Sequence, residues 1–327
     1  MNTLTRGPAT RDRKPSGPRA LRGLAWLMVH QHRAALLSCL AVTVIGAAWI
    51  VYQRGAMLDA LHGAGWPGTP GSVDEALSNR ISNDLESGGS TLGFLPVLLG
   101  AFLGAPLIAA DHEHGTVRLV TTQSVTLRQW LLAKLSFALI LVTVPTAVLG
   151  LLYAWWWRSV GPFAPDDWLT GSVFDTTGPV LVATALFTTS LGLAVGTLLR
   201  RVTPAMTLTF LISAASLFAA SLFRDRLATP RRLAFPLDST PPAVLDHAVQ
   251  IDQWVGTASG RLYGWSTCAH ESSPEACRSE RGIVNSVWDY FGRDQMAGMQ
   301  WTYAGVLLAA AVLLLGVCAL RTGRGRM

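Results

Sequence analysis

The stretch "AADHEHGTVRLVTTQSVTLRQWLLAKL", residues 109–135, gathers Asp111, His112, Glu113, His114, Arg118, Arg128 and Lys134 around a Gly115-Thr116 break. Two imidazoles beside two carboxylates are the residue types of a zinc or general-base site. The spacing does not suit one. Alternate residues on a helix point about 200° apart, and His-Glu-His-Gly lacks the i, i+4 histidine pair with which a metalloprotease helix grips zinc. A metal would need ligands from elsewhere in the chain, so none is assigned. No Gly-x-Ser-x-Gly and no plausible Cys/His pair supports hydrolysis. Without a Gly-x-x-x-x-Gly-Lys-Ser/Thr run the chain has no P-loop for ATP. It is expected to be no enzyme and to hold no cofactor itself.

The elements that carry this stretch follow from hydropathy. Of 327 residues, 50% are hydrophobic and 14% charged, and the mean hydropathy is +0.36, a balance that belongs to membrane proteins. Six apolar runs long enough to cross a ~30 Å hydrocarbon core lie at 34–52, 92–110, 135–157, 178–199, 202–223 and 301–320, and none contains Asp, Glu, Lys, Arg or His. Each can close its backbone hydrogen bonds as a helix at little desolvation cost. A proton or sodium pump usually keeps an acid in the membrane, so transport by this chain would be powered from outside it.

Basic residues set the orientation. With the N-terminus inside, the inner segments 1–33, 111–134, 200–201 and 321–327 carry 15 Lys and Arg, and the two shorter outer loops carry 3. That asymmetry puts both termini inside, although Arg224, Arg226, Arg231 and Arg232 crowd the end of the fifth run. No cleavable signal peptide is evident, so the first run serves as an uncleaved anchor. Arginine outnumbers lysine 24 to 2, which reads as codon bias, and such tails beside a membrane bind anionic head groups.

The expected fold is therefore an all-α integral membrane protein. Residues 1–18, with Pro8, Pro15 and Pro18, read as a disordered inner tail. Residues 19–33 repeat Leu21, Leu24, Ala25 and Met28 at helical spacing, as in an amphipathic helix lying in the interface. Residues 34–223 hold five membrane helices, 301–320 the sixth, and 321–327 a short inner tail. The outer loops 53–91 and 158–177 carry acids best read as solvated surface. The long outer loop 224–300 is expected to form a cap, its "FPLDSTPPAVLDHAVQIDQWVG" and "NSVWDYFGRDQMAGMQW" read as short amphipathic helices. Cys268 and Cys277 lie in it, and an oxidising compartment would join them. Cys39 and Cys318 fall within spans and read as core residues.

Between the second and third spans, Gly115 can end a helix and Thr116 can start a short one over 117–123. Thr126 with Gln129 makes a capping box for the third span, leaving Arg128, Trp130 and Lys134 at head-group level. An acid before Gly-Thr, an amphipathic turn, a hydroxyl-rich bend and Leu-Leu-x-Lys entering the membrane resemble the permeases of the ABC-2 type of ABC transporter. The matching positions are Asp111, Glu113, Gly115, Thr116, Leu119, Thr122, Val125, Thr126, Leu131, Leu132 and Lys134. The resemblance extends to the six spans, the flat helix before the first span and the long outer loop. It departs at the bend, where many relatives have Pro and a Ser-Arg pair and this chain has Ser124, Thr126 and Leu127, with Arg128 one position late.

The resemblance implies a transmembrane subunit in the cell membrane, paired with a second permease copy and with separate ATP-binding-cassette ATPase subunits that hold ATP and Mg²⁺. Loop 111–130 would contain the coupling helix, seated in a groove of the ATPase, with Glu113 and Arg118 as contacts either to it or to the flat helix; plain interfacial solvation is the competing account for each. The direction implied is export. The uncharged, Gly, Ala, Thr and Ser-rich spans suit an amphipathic or lipid-like cargo better than a free ion, and nothing suggests nucleic acid. Two other classes stay open: a membrane anchor or sensor acting through the 224–300 loop without an ATPase, and a lipid-modifying membrane enzyme using Asp111–His114 or His247–Asp252.

Overall fold

The computed structural model describes residues 26, 28–67, 73–115, 126–164, 167–169 and 171–324. The expected tail 1–18, residues 19–25 of the flat helix, the short helix at 117–123 and the end of the inner tail, 325–327, lie outside these.

Six helices are long and apolar enough to cross a membrane, and this is a multi-pass membrane protein. Helix α1 is Arg33–Gly63. Helix α2, Glu75–Leu99, passes through a π-helical turn, Gly100–Gly104, into α3, Ala105–Glu113, and the three cross as one rod. Then come α4 (Leu127–Val160), short α5 (Ser172–Thr176), α6 (Val180–Leu199) and α7 (Val202–Ser221). The last span is α9, Arg293–Arg324. Helices α1, α2–α3, α4 and α9 outrun the apolar runs that predict them, whereas α6 and α7 stop within theirs. The α2–α3 rod has 39 residues, about 58 Å at 1.5 Å per residue, so its first turns, and much of the expected loop 53–91, form a helical hairpin beyond the hydrocarbon. Before α1, residues 28–31 are helical and break at His32.

Helix α6 is the hub. It buries 14 of its 20 residues against α2–α3, α4, α7 and α9. Small residues make that possible: a Cβ on Gly100 would stand 2.6 Å from the Thr188 carbonyl oxygen, and one on Gly104 2.7 Å from that of Thr189. Backbones approach this closely only where side chains are absent. Pro96 interrupts the hydrogen bonding of α2 just before the π turn. The Thr188 hydroxyl donates to the Pro96 carbonyl at 2.6 Å, alongside the Gly100 amide, and ties α6 to this bend.

The all-α expectation fails in one region. The molecule is 72% helical, but residues 224–300 contain a four-stranded antiparallel sheet in the order β1-β4-β2-β3. The strands are β1 (Arg231–Pro236), β2 (Val249–Thr257), β3 (Leu262–Gly264) and β4 (Ile283–Phe291), with a short helix α8, Pro274–Glu280, before β4. Residues 293–301 are helical, as the first turns of α9, but much of the two segments read as amphipathic helices is strand, because "VQIDQWVGT" and "IVNSVWDYF" are rich in β-branched and aromatic residues. Such residues favour strands once a partner covers one face. Trp254 opposes Val287, and Leu233 opposes Trp288. Arg232 and Asp289, also opposite one another, join through two 2.7 Å contacts.

The sheet is fused to the helices. Val249 and Phe291 share a core with Leu61, Trp156, Met296 and Met299. Arg231 holds Asp294 through two contacts of 3.0 and 2.7 Å, tying β1 to the first turn of α9. Cys268 and Cys277 are disulfide-bonded with Cα atoms 5.8 Å apart, and Cys268 sits with Val255 and Ile283 in a small second core of the cap.

Candidate functional site

The residues around Gly115 occupy the end of the bundle opposite the sheet. Helix α3 stops there because Gly115 takes φ +70, a conformation glycine adopts without a Cβ penalty. The His114 amide donates to Ala110 at 2.9 Å and that of Gly115 to His112 at 3.3 Å. On the other side of the break, Thr126 caps α4. Its hydroxyl accepts from the Gln129 amide at 3.3 Å, and the Gln129 side chain accepts from the Thr126 amide at 3.1 Å, the reciprocal box that the sequence predicts.

The two flanks are clamped together. Lys134, expected at head-group level, is 1% exposed. Its ammonium bonds the carboxylate of Asp111 and, at 2.8 Å, the carbonyl of Leu107. It also lies 5.0 Å from the centre of the Trp130 ring. Trp130 is likewise buried rather than interfacial, packed with Leu107, Ile108, Leu131, Leu135, Leu193 and Cys318. The physical reason is local: an ammonium about two helical turns inside α4 meets an acid at the end of α3, and a paired ion in an apolar layer costs far less than a lone one.

Glu113 is also engaged within the chain. Its carboxylate accepts from the Val202 amide at 2.7 Å. Val202 opens α7, where the unsatisfied amides and the helix dipole favour a negative group. Glu113, expected as a contact to the ATPase or to the flat helix, here caps a neighbouring span. Helices α3, α4 and α7 therefore all converge on the ends of the 116–125 segment.

His32, from the turn before α1, packs on Phe137 with ring centroids 5.5 Å apart. Burial first, and then the positive charge of Lys134, hold its imidazole below the ordinary histidine value, against an opposing pull from Asp111. His114 turns Nδ1 to the Ala110 carbonyl at 2.8 Å. Among the described residues no three His, Cys, Asp or Glu side chains stand close enough together to hold a metal ion. Of the other positions singled out by sequence, Leu131 is buried and Leu132 is 62% exposed. Thr116, Arg118, Leu119, Thr122 and Val125 lie outside the described residues.

Sequence reasoning found Asp111, Lys134, Glu113 and the Thr126 cap but not their pairings. Val202 and His32 gave no signal, because an amide nitrogen and a lone histidine acquire meaning only from what folds against them.

Comparison with known proteins places this geometry. The profile of the family described as ABC-2 membrane transporter related matches residues 40–224, more than half of the chain. That match runs from α1 through α7 and includes both halves of the clamp. Neither the curated proteins nor the solved structures gave a match. With its first five spans and the clamped segment inside the matched region, the chain belongs to the ABC-2 membrane transporter related family.

Proposed function

We propose that this chain is the transmembrane permease subunit of an ATP-binding-cassette transporter, driven by a separate ATPase subunit that docks on segment 111–126. ATP and Mg²⁺ reside in that subunit, and the chain itself performs no chemistry. The observation that carries the reading is the clamp. Asp111 with Lys134, and Glu113 with the Val202 amide, fasten the ends of one segment to three spans. A partner that moved the segment would move α3, α4 and α7 together. Such coupling requires a partner that binds two arrangements of the bundle with different affinity, and ATP-driven closure of two ATPase subunits supplies that difference.

In this reading both termini and segment 111–126 face the cytoplasm and the sheet faces outward, in keeping with the excess of Lys and Arg on the inner segments. A second permease copy covers α1 and α7, whose apolar faces the rest of the chain leaves largely uncovered. The cargo is an amphipathic or lipid-like molecule that is exported, since the spans offer small and hydroxyl side chains rather than charge.

The test is purification of the full chain from its own membranes in mild detergent, with mass spectrometry of what accompanies it. A stoichiometric P-loop protein, with ATP hydrolysis that responds to disruption of Asp111 or Lys134, is the expected result. The folded sheet gives substance to the competing reading, an anchor or sensor acting through its cap. A chain that comes alone under every salt and detergent condition, without ATPase activity, would favour that alternative.

A further inference from the structure

At the sheet end of the bundle, α4 and α9 both pack on α6 and leave a groove between them of about 590 Å³. Its floor is the start of α6 around Gly178 and Val182, and its walls include Ala147, Leu151 and Met296. The groove opens sideways to the bilayer, since Leu151 and Trp301 on its edges are 72% and 65% exposed. A mostly apolar cleft of this size is in the range that binds small amphiphiles.

Its head is chemically different from its body. Arg158 and Arg293 line the same groove from opposite helices. Among the described residues neither guanidinium has a carboxylate within ion-pair distance. Three other arginines at this end are ion-paired: Arg224 holds Asp175 at 2.5 Å, and Arg231 and Arg232 hold Asp294 and Asp289. Arg293 is also positioned, its guanidinium 4.4 Å from the centre of the Trp157 ring, which restricts its rotamers before any ligand arrives. Two unpaired forks above an apolar slot, with Trp157 and Trp301 on its walls, are complementary to one kind of molecule. A phosphate accepts paired hydrogen bonds from guanidinium, and an acyl chain fills the slot.

We propose that the groove between α4 and α9 is a binding site for an anionic phospholipid of the surrounding leaflet, its phosphate held by Arg158 and Arg293 and one acyl chain lying along Leu151 and Val182. This requires only that the chain span a bilayer. It stands apart from the ATPase-driven reading, because the site lies at the other end of the molecule from segment 111–126.

The test is native mass spectrometry of the full chain in mild detergent, titrated with phosphatidylglycerol or with phosphatidylcholine of the same acyl chains. One phosphatidylglycerol should bind at least about tenfold more tightly than phosphatidylcholine, because both lipids offer the phosphate but the choline cation of the second is repelled by the two guanidinium groups. Arg158→Gln with Arg293→Gln should abolish that preference. Ala147→Trp, which keeps both arginines but fills the slot, should weaken the same lipid. Equal binding of the two lipids by the native chain overturns the proposal, as does a preference that survives the double substitution. Displacement of phosphatidylglycerol by low-millimolar inorganic phosphate, with no effect of Ala147→Trp, overturns the lipid assignment in favour of a site for free phosphate.

Discussion

Asp111 and Lys134, 23 residues apart in sequence, form an ion pair in the interior of the bundle and close the segment between them into a loop with fixed ends. Their side chains are 10% and 1% exposed, so neither has water as a fallback partner. Removing Asp111 leaves a buried ammonium with the Leu107 carbonyl and the Trp130 ring, and removing Lys134 leaves a buried carboxylate without its cation. Asp111→Ala or Lys134→Met is expected to cost about 3 to 5 kcal/mol, whereas the pair replaced together by apolar residues should be far milder. Thermal unfolding of the detergent-purified chain measures this. A loss in the double variant equal to the sum of the two single losses would show that the two charges do not depend on one another.

Glu113 acts on a different helix. By accepting from the Val202 amide at 2.7 Å, it supplies α7 with an N-terminal partner that Arg201, the residue before it, does not provide through its side chain. Glu113→Ala should destabilise by about 1 kcal/mol, the usual cost of a lost cap, and Glu113→Gln by less. The local signature is sharper than the global one: amide exchange at Val202 should accelerate in the alanine variant while amides in mid-α7 keep their protection. An unchanged Val202 amide would mean that water replaces the carboxylate at no cost.

In the cap, the Cys268–Cys277 bond spans nine positions. Closing so short a loop removes about 2 to 3 kcal/mol of unfolded-state freedom in the chain-entropy account. Cys268→Ser with Cys277→Ser should therefore lower the unfolding temperature of the cap and expose α8 to proteolysis first, since no residue of that helix is buried. Peptide maps of protein from intact cells, with and without reductant, report the bond directly. Two free thiols in the native protein would place the cap in a reducing compartment and reverse the proposed orientation.

What the sequence disclosed follows the range of the forces involved. The spans were legible because a bilayer demands about 20 apolar residues in a row, and the Thr126–Gln129 box was legible because both partners lie within one turn. The ends of the spans were not, since α2 and α9 continue as helices through polar residues such as Glu86 and Asp294 that no hydropathy scan includes. Asp111 and Lys134 stood out separately, but their pairing depends on α3 and α4 lying side by side. The sheet was misread because the aromatic residues in 249–257 and 283–291 resemble interfacial anchors until each strand is given its neighbour. The groove of Arg158 and Arg293 draws on three elements, so no local pattern in the sequence marks it.

Acid should weaken the two ends of the molecule in two separate pH windows. At the clamp, burial of His32 and the nearby ammonium of Lys134 lower its folded pKa, so the unfolded chain takes up the proton first. Stability then falls as pH drops through about 6.5, the ordinary histidine value. In the sheet, hydrogen bonding from Arg232 holds the Asp289 carboxyl below its usual range. Its contribution is present above the unfolded carboxylate value of about 3.9 and is lost as pH falls through the lower folded value. Unfolding followed between pH 8 and 3 should show a first decline near pH 6.5 that His32→Phe removes and a second below about pH 4 that Asp289→Asn removes. If His32→Phe leaves the first decline in place, the histidine is not the group that sets it. The stability lost would then have to come from a group other than His32.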